Sequence, residues 1–227
     1  LLGWRTAFWG IGGLGLVTMV ALWFALPNLP LPKSDGVLAE IKVLGRGSVL
    51  AALALTVVGS SAMFTVFTYI APILSNETHA STPFITAMLV LFGVGLTLGN
   101  IWGGKAADRS IDRTLIVSLS ALILVLLAFA FLMRWPIPAA VSILIWGIAS
   151  FAVVPPLQMR VMEAAKDAPN LASAVNIGAF NFGNAIGAAV GGAVINAGLG
   201  YPAISLAGAA MARLGLLMVV SFAWSSR

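Results

Sequence analysis

Residues 103–113 read GGKAADRSIDR. Five charged side chains, Lys105, Asp108, Arg109, Asp112 and Arg113, fall in these eleven positions. The whole chain holds only 12 Lys/Arg and 7 Asp/Glu. Long apolar runs lie on both sides. A charged turn opened by glycine between two such runs is the pattern of a tight loop joining two membrane-spanning helices.

Of 227 residues, 60% are hydrophobic and 8% charged, and the mean hydropathy is +1.05. A soluble domain carries roughly a quarter charged residues. This chain lacks the polar surface that water requires, so lipid is its solvent. In lipid every backbone polar group must be satisfied within a helix or a closed barrel. Barrel strands alternate apolar and polar residues, whereas these runs are continuous. The expected fold class is therefore an all-α membrane protein. The net charge of +5 does not point to nucleic acid. Its basic residues sit in short gaps between apolar runs, where membrane topology accounts for them. There is no cysteine, so disulfide and thiol chemistry are excluded. The chain opens at Leu1-Leu2 without Met and runs almost at once into an apolar span. The expectation is a fragment or a trimmed chain.

Spanning takes about 20 mostly apolar residues. Seven segments qualify: 8–26, 48–70, 83–102, 114–133, 138–156, 171–197 and 202–223. Alternate gaps face opposite sides. One side collects Lys33, Lys42, Arg46, Lys105, Arg109, Arg113, Arg160, Lys166 and Arg227, and the other only Arg5 and Arg134. Basic loops favour the cytoplasm, so the expected orientation has the N-terminus outside and the C-terminus inside. Trp4, Trp9, Trp23, Trp102, Trp135 and Trp224 fall near the predicted ends, as an interfacial belt would place them. The gap 27–47 is the longest. It carries Pro27, Pro30 and Pro32, then Val37, Leu38, Ile41 and Leu44 at helical spacing. It reads as a linker with a short helix lying on the membrane, separating one leading span from a group of six.

The acids Asp35, Glu40, Glu77, Asp108, Asp112, Glu163 and Asp167 all fall in gaps or at helix ends. The single histidine, His79, reads as a solvated loop residue. A metal site needs converging ligands, and a covalent mechanism needs a nucleophile beside a base. The sequence offers neither, so no enzyme activity, metal or cofactor is expected. In the charged loop, Gly104 reads as a helix end. Asp108, with Arg109 and Arg113, reads either as a plain solvated turn or as a conformational latch. In the latch reading Asp108 sits near a helix N-terminus, where the dipole favours an acid.

Other spans carry polar and small residues at helical spacing. Gly183, Gly187 and Gly191 recur every four residues and form one stripe for close helix packing. Asn181 and Asn184, with Asn176 earlier on the same span, either bond to neighbouring helices or face a wet cavity. Ser61, Thr65 and Thr68 share one face of the second span. Each either bonds to its own backbone or lines the cavity, where Trp146 adds an aromatic contact. Pro155-Pro156 breaks the fifth span, as a gate hinge or as a helix terminus. Arg213 sits near the middle of the last span. A charge there costs roughly 3 kcal/mol unless it snorkels or meets water, so it faces a cavity or a lipid headgroup.

The string from Gly104 through Lys105, Ala106, Ala107, Asp108 and Arg109 to Arg113 resembles the signature loop of the major facilitator superfamily. Ile111 stands where a glycine is common and Asp112 where a basic residue is common. The motif lies between spans two and three of that family, with a looser copy between spans eight and nine. Six spans after a long linker make this the second copy. The opening Gly3-Trp4-Arg5-x-x-Phe8 resembles the entry to the sixth span in the drug–proton antiporter branch. The stretch 154–160 and the strings 169–173 and 176–181 are similar to arabinose-efflux-like transporters of the bacterial inner membrane. The resemblance implies residues 1–26 as the last span of an N-terminal half, 27–47 as the central cytoplasmic linker, and 48–227 as a C-terminal six-helix half. It implies a secondary transporter in the bacterial inner membrane, exchanging protons for a small organic molecule, a drug or a sugar. The N-terminal half would then be missing from this chain. The competing class is a non-transporting membrane binding or scaffold protein, a seven-span receptor, or a half-transporter that works as a dimer.

Overall fold

The computed structural model describes residues 4–25 and 37–225, all in helices and the short turns between them. Seven helical stretches are long and apolar enough to cross a membrane, in line with the seven predicted spans. The predicted linker residues 27–36, with Lys33 and Asp35, and the terminal Arg227 lie outside the described residues. Two units result, divided after Asp35. In the first, α1 (Trp4–Ala25) is one apolar helix whose Trp9 and Trp23 are exposed.

The second unit begins with α2 (Val37–Leu44) and α3 (Gly47–Phe67). There follow α4 (Ile70–Asn76), α5 (Thr82–Ala107), α6 (Ile111–Leu132) and α7 (Pro136–Ala152). The chain ends with α8 (Val154–Ala164), α9 (Pro169–Asn196) and α10 (Tyr201–Ser225). Proline opens many of these helices: Pro83, Pro136, Pro155, Pro169 and Pro202 each sit in a first turn, where their missing N–H loses no bond. At the end of α9 the chain turns through Gly198 at φ +71°. The Gly198 N–H reaches Ile195 O at 2.9 Å and the Leu199 N–H reaches Val194 O at 3.3 Å. This is a Schellman cap, which requires the left-handed conformation. Gly198→Ala is expected to lower stability by about 1–2 kcal/mol. The check is the thermal unfolding midpoint in detergent, and an unmoved midpoint would mean the turn relaxes.

Two predicted spans are each a pair of helices. The second span runs to Asn76, broken at Thr68–Tyr69 because Pro72 cannot donate to Thr68 O. The fifth runs to Ala164, broken at Val153. Pro155 and Pro156 remove the donors for the Phe151 and Ala152 carbonyls. The helix resumes at once, and Leu157 and Val161 on α8 are buried.

The closest helix pairs are α3 with α9, α5 with α7, and α6 with α10. The first two meet through glycine. Gly183, Gly187 and Gly191 on α9 lie against the backbone of α3. A Cβ on Gly187 would stand 2.5 Å from Ser61 O and 2.8 Å from Thr65 N. Gly95, Gly99 and Gly103 on α5 lie against α7 in the same way, a stripe of identical spacing that the sequence reading passed over. Gly103 explains why α5 continues past the predicted end at 102: a Cβ there would be 2.5 Å from Ala152 O. These glycines serve close approach, and packing outweighs their propensity cost of about 1 kcal/mol each.

The larger core cluster is aromatic at its centre. Trp146 packs on Phe92 with ring centroids 4.4 Å apart, and Phe67 stacks on Phe92 at 5.2 Å. Ion pairs and polar bonds tie the ends of the bundle. At one end Arg46 meets Asp167 at 2.6 Å and Arg160 meets Asp112 at 2.6 Å. That end also carries Lys105, Arg109, Arg113 and Lys166 and is the basic end of the bundle. At the other end Arg134 approaches Glu77 at 3.9 Å, and Asn76 Nδ2 donates to Tyr201 Oη at 3.2 Å. On α2, Val43 is buried against α3, α8 and α9, while Ile41 is exposed.

Candidate functional site

The break at Val153 borders a cavity of about 290 Å³. Three stretches converge there: the middle of α3, the α7–α8 junction, and the middle of α9. The walls are Met63 and Phe64, then Phe151 with Val153 and Val154, then Phe180. Polar groups are few. Ser60 Oγ lies 3.2 Å from both Val57 O and Phe180 O, so its hydroxyl is engaged. Ser150 Oγ and Asn184 Oδ1 are buried and have no hydrogen-bond partner among the described residues. Both atoms are sealed within the packed wall.

The predicted cavity residues divide. Asn184 lines the cavity; Asn181, three positions earlier, is exposed and donates to its own helix at Ile177 O, 3.0 Å away. Ser61 and Thr65 are buried beneath the glycines of α9 and bond to Val58 O at 2.9 Å and Ser61 O at 2.7 Å. Thr68 is exposed at the break in the second span and bonds to Phe64 O. Trp146 is 1% exposed and packs within the aromatic core, away from the cavity lining. Ser150 and Ser60 were not singled out in the sequence. An isolated serine on an apolar span carries no local signal, and only the convergence of three helices gives it a role. Pro155 and Pro156 sit directly below the break. Arg213 is exposed on α10 and has no ion pair among the described residues.

At the basic end the structure corrects the loop. Gly104 does not end a helix, since α5 runs on to Ala107. Asp108 is at the C-cap of α5, where the helix dipole disfavours an acid, and two residues before the Ser110 N-cap of α6, outside its first turn. It is exposed and unpaired among the described residues, as are Arg109 and Arg113. Arg109 lies in the turn and Arg113 in the first turn of α6, so they do not share a helix face. The N-cap of α6 is Ser110, whose Oγ accepts from Arg113 N at 3.3 Å. The acid in the first turn of α6 is Asp112, and it holds Arg160 of α8. The Arg160 guanidinium also lies 5.9 Å from the ring centroid of Phe222 on α10. Beside it, Gln158 of α8 accepts from Asn176 and donates to Ser173 Oγ at 2.8 Å, both on α9. The segment below the break is thus fastened to α6, α9 and α10. Asp112 was noted in the sequence only as a departure from the resembled loop. That departure, with an arginine at the end of the next span, was the available signal.

A bundle of membrane-length helices, paired through glycine and broken beside a cavity, defines a polytopic membrane protein. The chain belongs to the Major Facilitator Superfamily, which matches residues 1–192. It is 54% identical over 218 residues to the inner membrane transport protein YdhP of Escherichia coli K12. That alignment covers 96% of this chain and 56% of the relative. It is 33% identical to the uncharacterized MFS-type transporter YfhI of Bacillus subtilis, over 96% of this chain and 55% of the relative. It is also 33% identical to a "Probable sugar efflux transporter" of Helicobacter pylori strain J99, over 95% of this chain and 55% of the relative. The chain thus spans about half the length of the curated relatives it matches.

Proposed function

We propose that this chain is the C-terminal part of a secondary transporter that exports a small organic compound in exchange for protons. Residues 1–26 would be the last span of the first half, 27–47 the central linker and 48–227 the second half. The missing N-terminal half would complete the binding site. The carrying observation is the cavity at the Val153 break, walled by α3, the α7–α8 junction and α9. Broken helices in transporters expose a site near the midplane and let one segment rock against another. The name of the Helicobacter relative supports efflux. The name of the Escherichia relative supports the bacterial inner membrane. The concentration of Lys and Arg at the basic end supports a cytoplasmic C-terminus.

No acid lies mid-span, so the sequence of this chain does not single out a proton-binding group. The test is flux of labelled sugars and small aromatic compounds in vesicles holding the full-length protein. An outward flux that rises several-fold when a pH gradient is imposed is the expected result. Flux indifferent to the gradient would rule out proton exchange.

A further inference from the structure

Helix α2 has 8 residues. A helix that short does not hold its shape alone in water, so α2 owes its order to what it is seated on. Val43 is 7% exposed and belongs to a small apolar cluster of its own at the basic end. The seat is assembled from separate elements: Val49 and Ala52 at the start of α3, Val161 on α8, and Ala165 and Ala168 in the turn after α8. Only Gly45 and Arg46 separate α2 from α3, and their N–H groups bond back to Lys42 O and Val43 O at 3.2 and 3.1 Å. Arg46 also donates to Asp167, in the turn after α8, at 2.6 Å. Those two side chains are 50% and 63% exposed, so the ion pair adds little and the apolar seat carries the docking.

The seat is shared with the segment below the Val153 break. It is complete only while α8 and the turn after it lie against α3. A swing of α8 at Val153 takes Val161 and Ala165 out of the cluster and leaves α2 without support. We infer that α2 is a strap that folds on its seat: it spans the start of α3 and the α8–α9 turn, holds α8 in the conformation seen here, and melts when α8 moves. Such coupling is reciprocal by thermodynamic necessity. Whatever loosens α8 loosens α2, and whatever unseats α2 loosens α8. What the strap regulates rests on the reading of 27–47 as the linker between two halves of a carrier. On that reading α2 is the end of the tether through which the first half acts on α8.

This chain has no cysteine, so a single introduced thiol reports on a single position. The full-length protein in nanodiscs is reacted with N-ethylmaleimide, and modification of each peptide is followed by mass spectrometry. Lys42→Cys lies on the exposed side of α2 and Val43→Cys on the seated side. Val43→Cys should react about tenfold more slowly, since it is reached only through local opening. Arg160→Gln frees α8 from Asp112 and Phe222. It should raise the Val43→Cys rate about fivefold and leave Lys42→Cys unchanged. In the reverse direction, Val43→Asp should raise the labelling of Leu157→Cys by a similar factor. Leu157 is 1% exposed and lies on α8 in a different cluster from Val43. Its labelling therefore reports movement of α8 and not the uncovering of the seat. Equal rates for Lys42→Cys and Val43→Cys, or either buried thiol indifferent to the substitution on the other helix, overturn the inference. If Arg160→Gln is not recovered folded, Asp112→Asn decides by the same comparison. Labelling does not depend on transport. Reciprocal labelling without any gradient-driven flux leaves the strap standing and removes the carrier reading. Gradient-driven flux with indifferent labelling does the reverse.

Discussion

Gly187→Val is expected to destabilise the bundle by about 3 kcal/mol, at the upper end of the usual penalty for overpacking. The glycine sits in the middle of the stripe that joins α9 to α3. Its missing Cβ would lie 2.5 Å from Ser61 O, 2.8 Å from Thr65 N and 3.1 Å from Phe64 C. All three are backbone atoms, so no rotamer change makes room, and the helices must separate. Separation removes what holds them. Lipid tails are as apolar as the side chains, so helix association in a bilayer relies on close contact and on polar bonds between helices. The Ser60–Phe180 bond joins α3 to α9 at 3.2 Å, the Tyr69–Ala188 bond joins the break just after α3 to α9 at 2.9 Å, and both would lengthen with the shift. Gly178→Ala is the matched comparison on the same helix, since nothing lies within 4 Å of its added Cβ. Alanine there should be neutral or stabilise by up to about 1 kcal/mol, because glycine is the poorer helix former. Thermal unfolding of the purified full-length protein in detergent reads both. Equal midpoints for the two variants would show that the stripe does not hold the helices together.

What the sequence could and could not disclose follows from the range of each signal. Hydropathy is local, so all seven spans were legible, and so was the family through the 104–113 string. Where helices end was less legible, because tertiary packing overrides the local cue. Gly103 and Gly104 suggested a turn, yet α5 continues, since Gly103 is needed against Ala152. Trp146 and Ser61 carry the same residue types that line ligand sites. Whether such a residue meets a cavity or a neighbouring helix depends on the rotation of its helix, and spacing within one span cannot state that. Asn181 and Asn184 make the point most plainly: they sit 60° apart by helical periodicity, one open and self-bonded, the other on the cavity wall. The Asp112–Arg160 contact was hidden for a different reason. Its partners are far apart in sequence and meet only because two spans end at the same level.

That contact yields the second large effect. Asp112→Asn and Arg160→Gln should each loosen the segment below the Val153 break, and the arginine change should do more. Arg160 is the less exposed partner, at 21% against 41% for Asp112. It also gives up its position over the Phe222 ring. Solvent reaches the carboxylate, so the pair itself is worth only about 1 kcal/mol, and the ring contact adds about 0.5–1 kcal/mol more. A double-mutant cycle on the unfolding free energy should return a coupling of about 1 kcal/mol between the two positions. The exchanged pair, Asp112→Arg with Arg160→Asp, separates charge from ring. It should recover the ion-pair part and not the Phe222 part, because the arginine then sits on α6. Asp108→Asn is the contrast within the same loop: Asp108 is exposed and unpaired among the described residues, so its effect on stability should stay within about 0.5 kcal/mol. If the segment rocks at Val153 during transport, the pair favours the conformation seen here, and about 1 kcal/mol corresponds to roughly a fivefold change in its population. The single variants should therefore alter turnover by about that factor while insertion is unchanged, with the exchanged pair between them and the parent. Strictly additive single effects, or an exchanged pair no better than Asp112→Asn, would show that the two charges act independently and that the fastening of this segment lies with Gln158 and Asn176 instead.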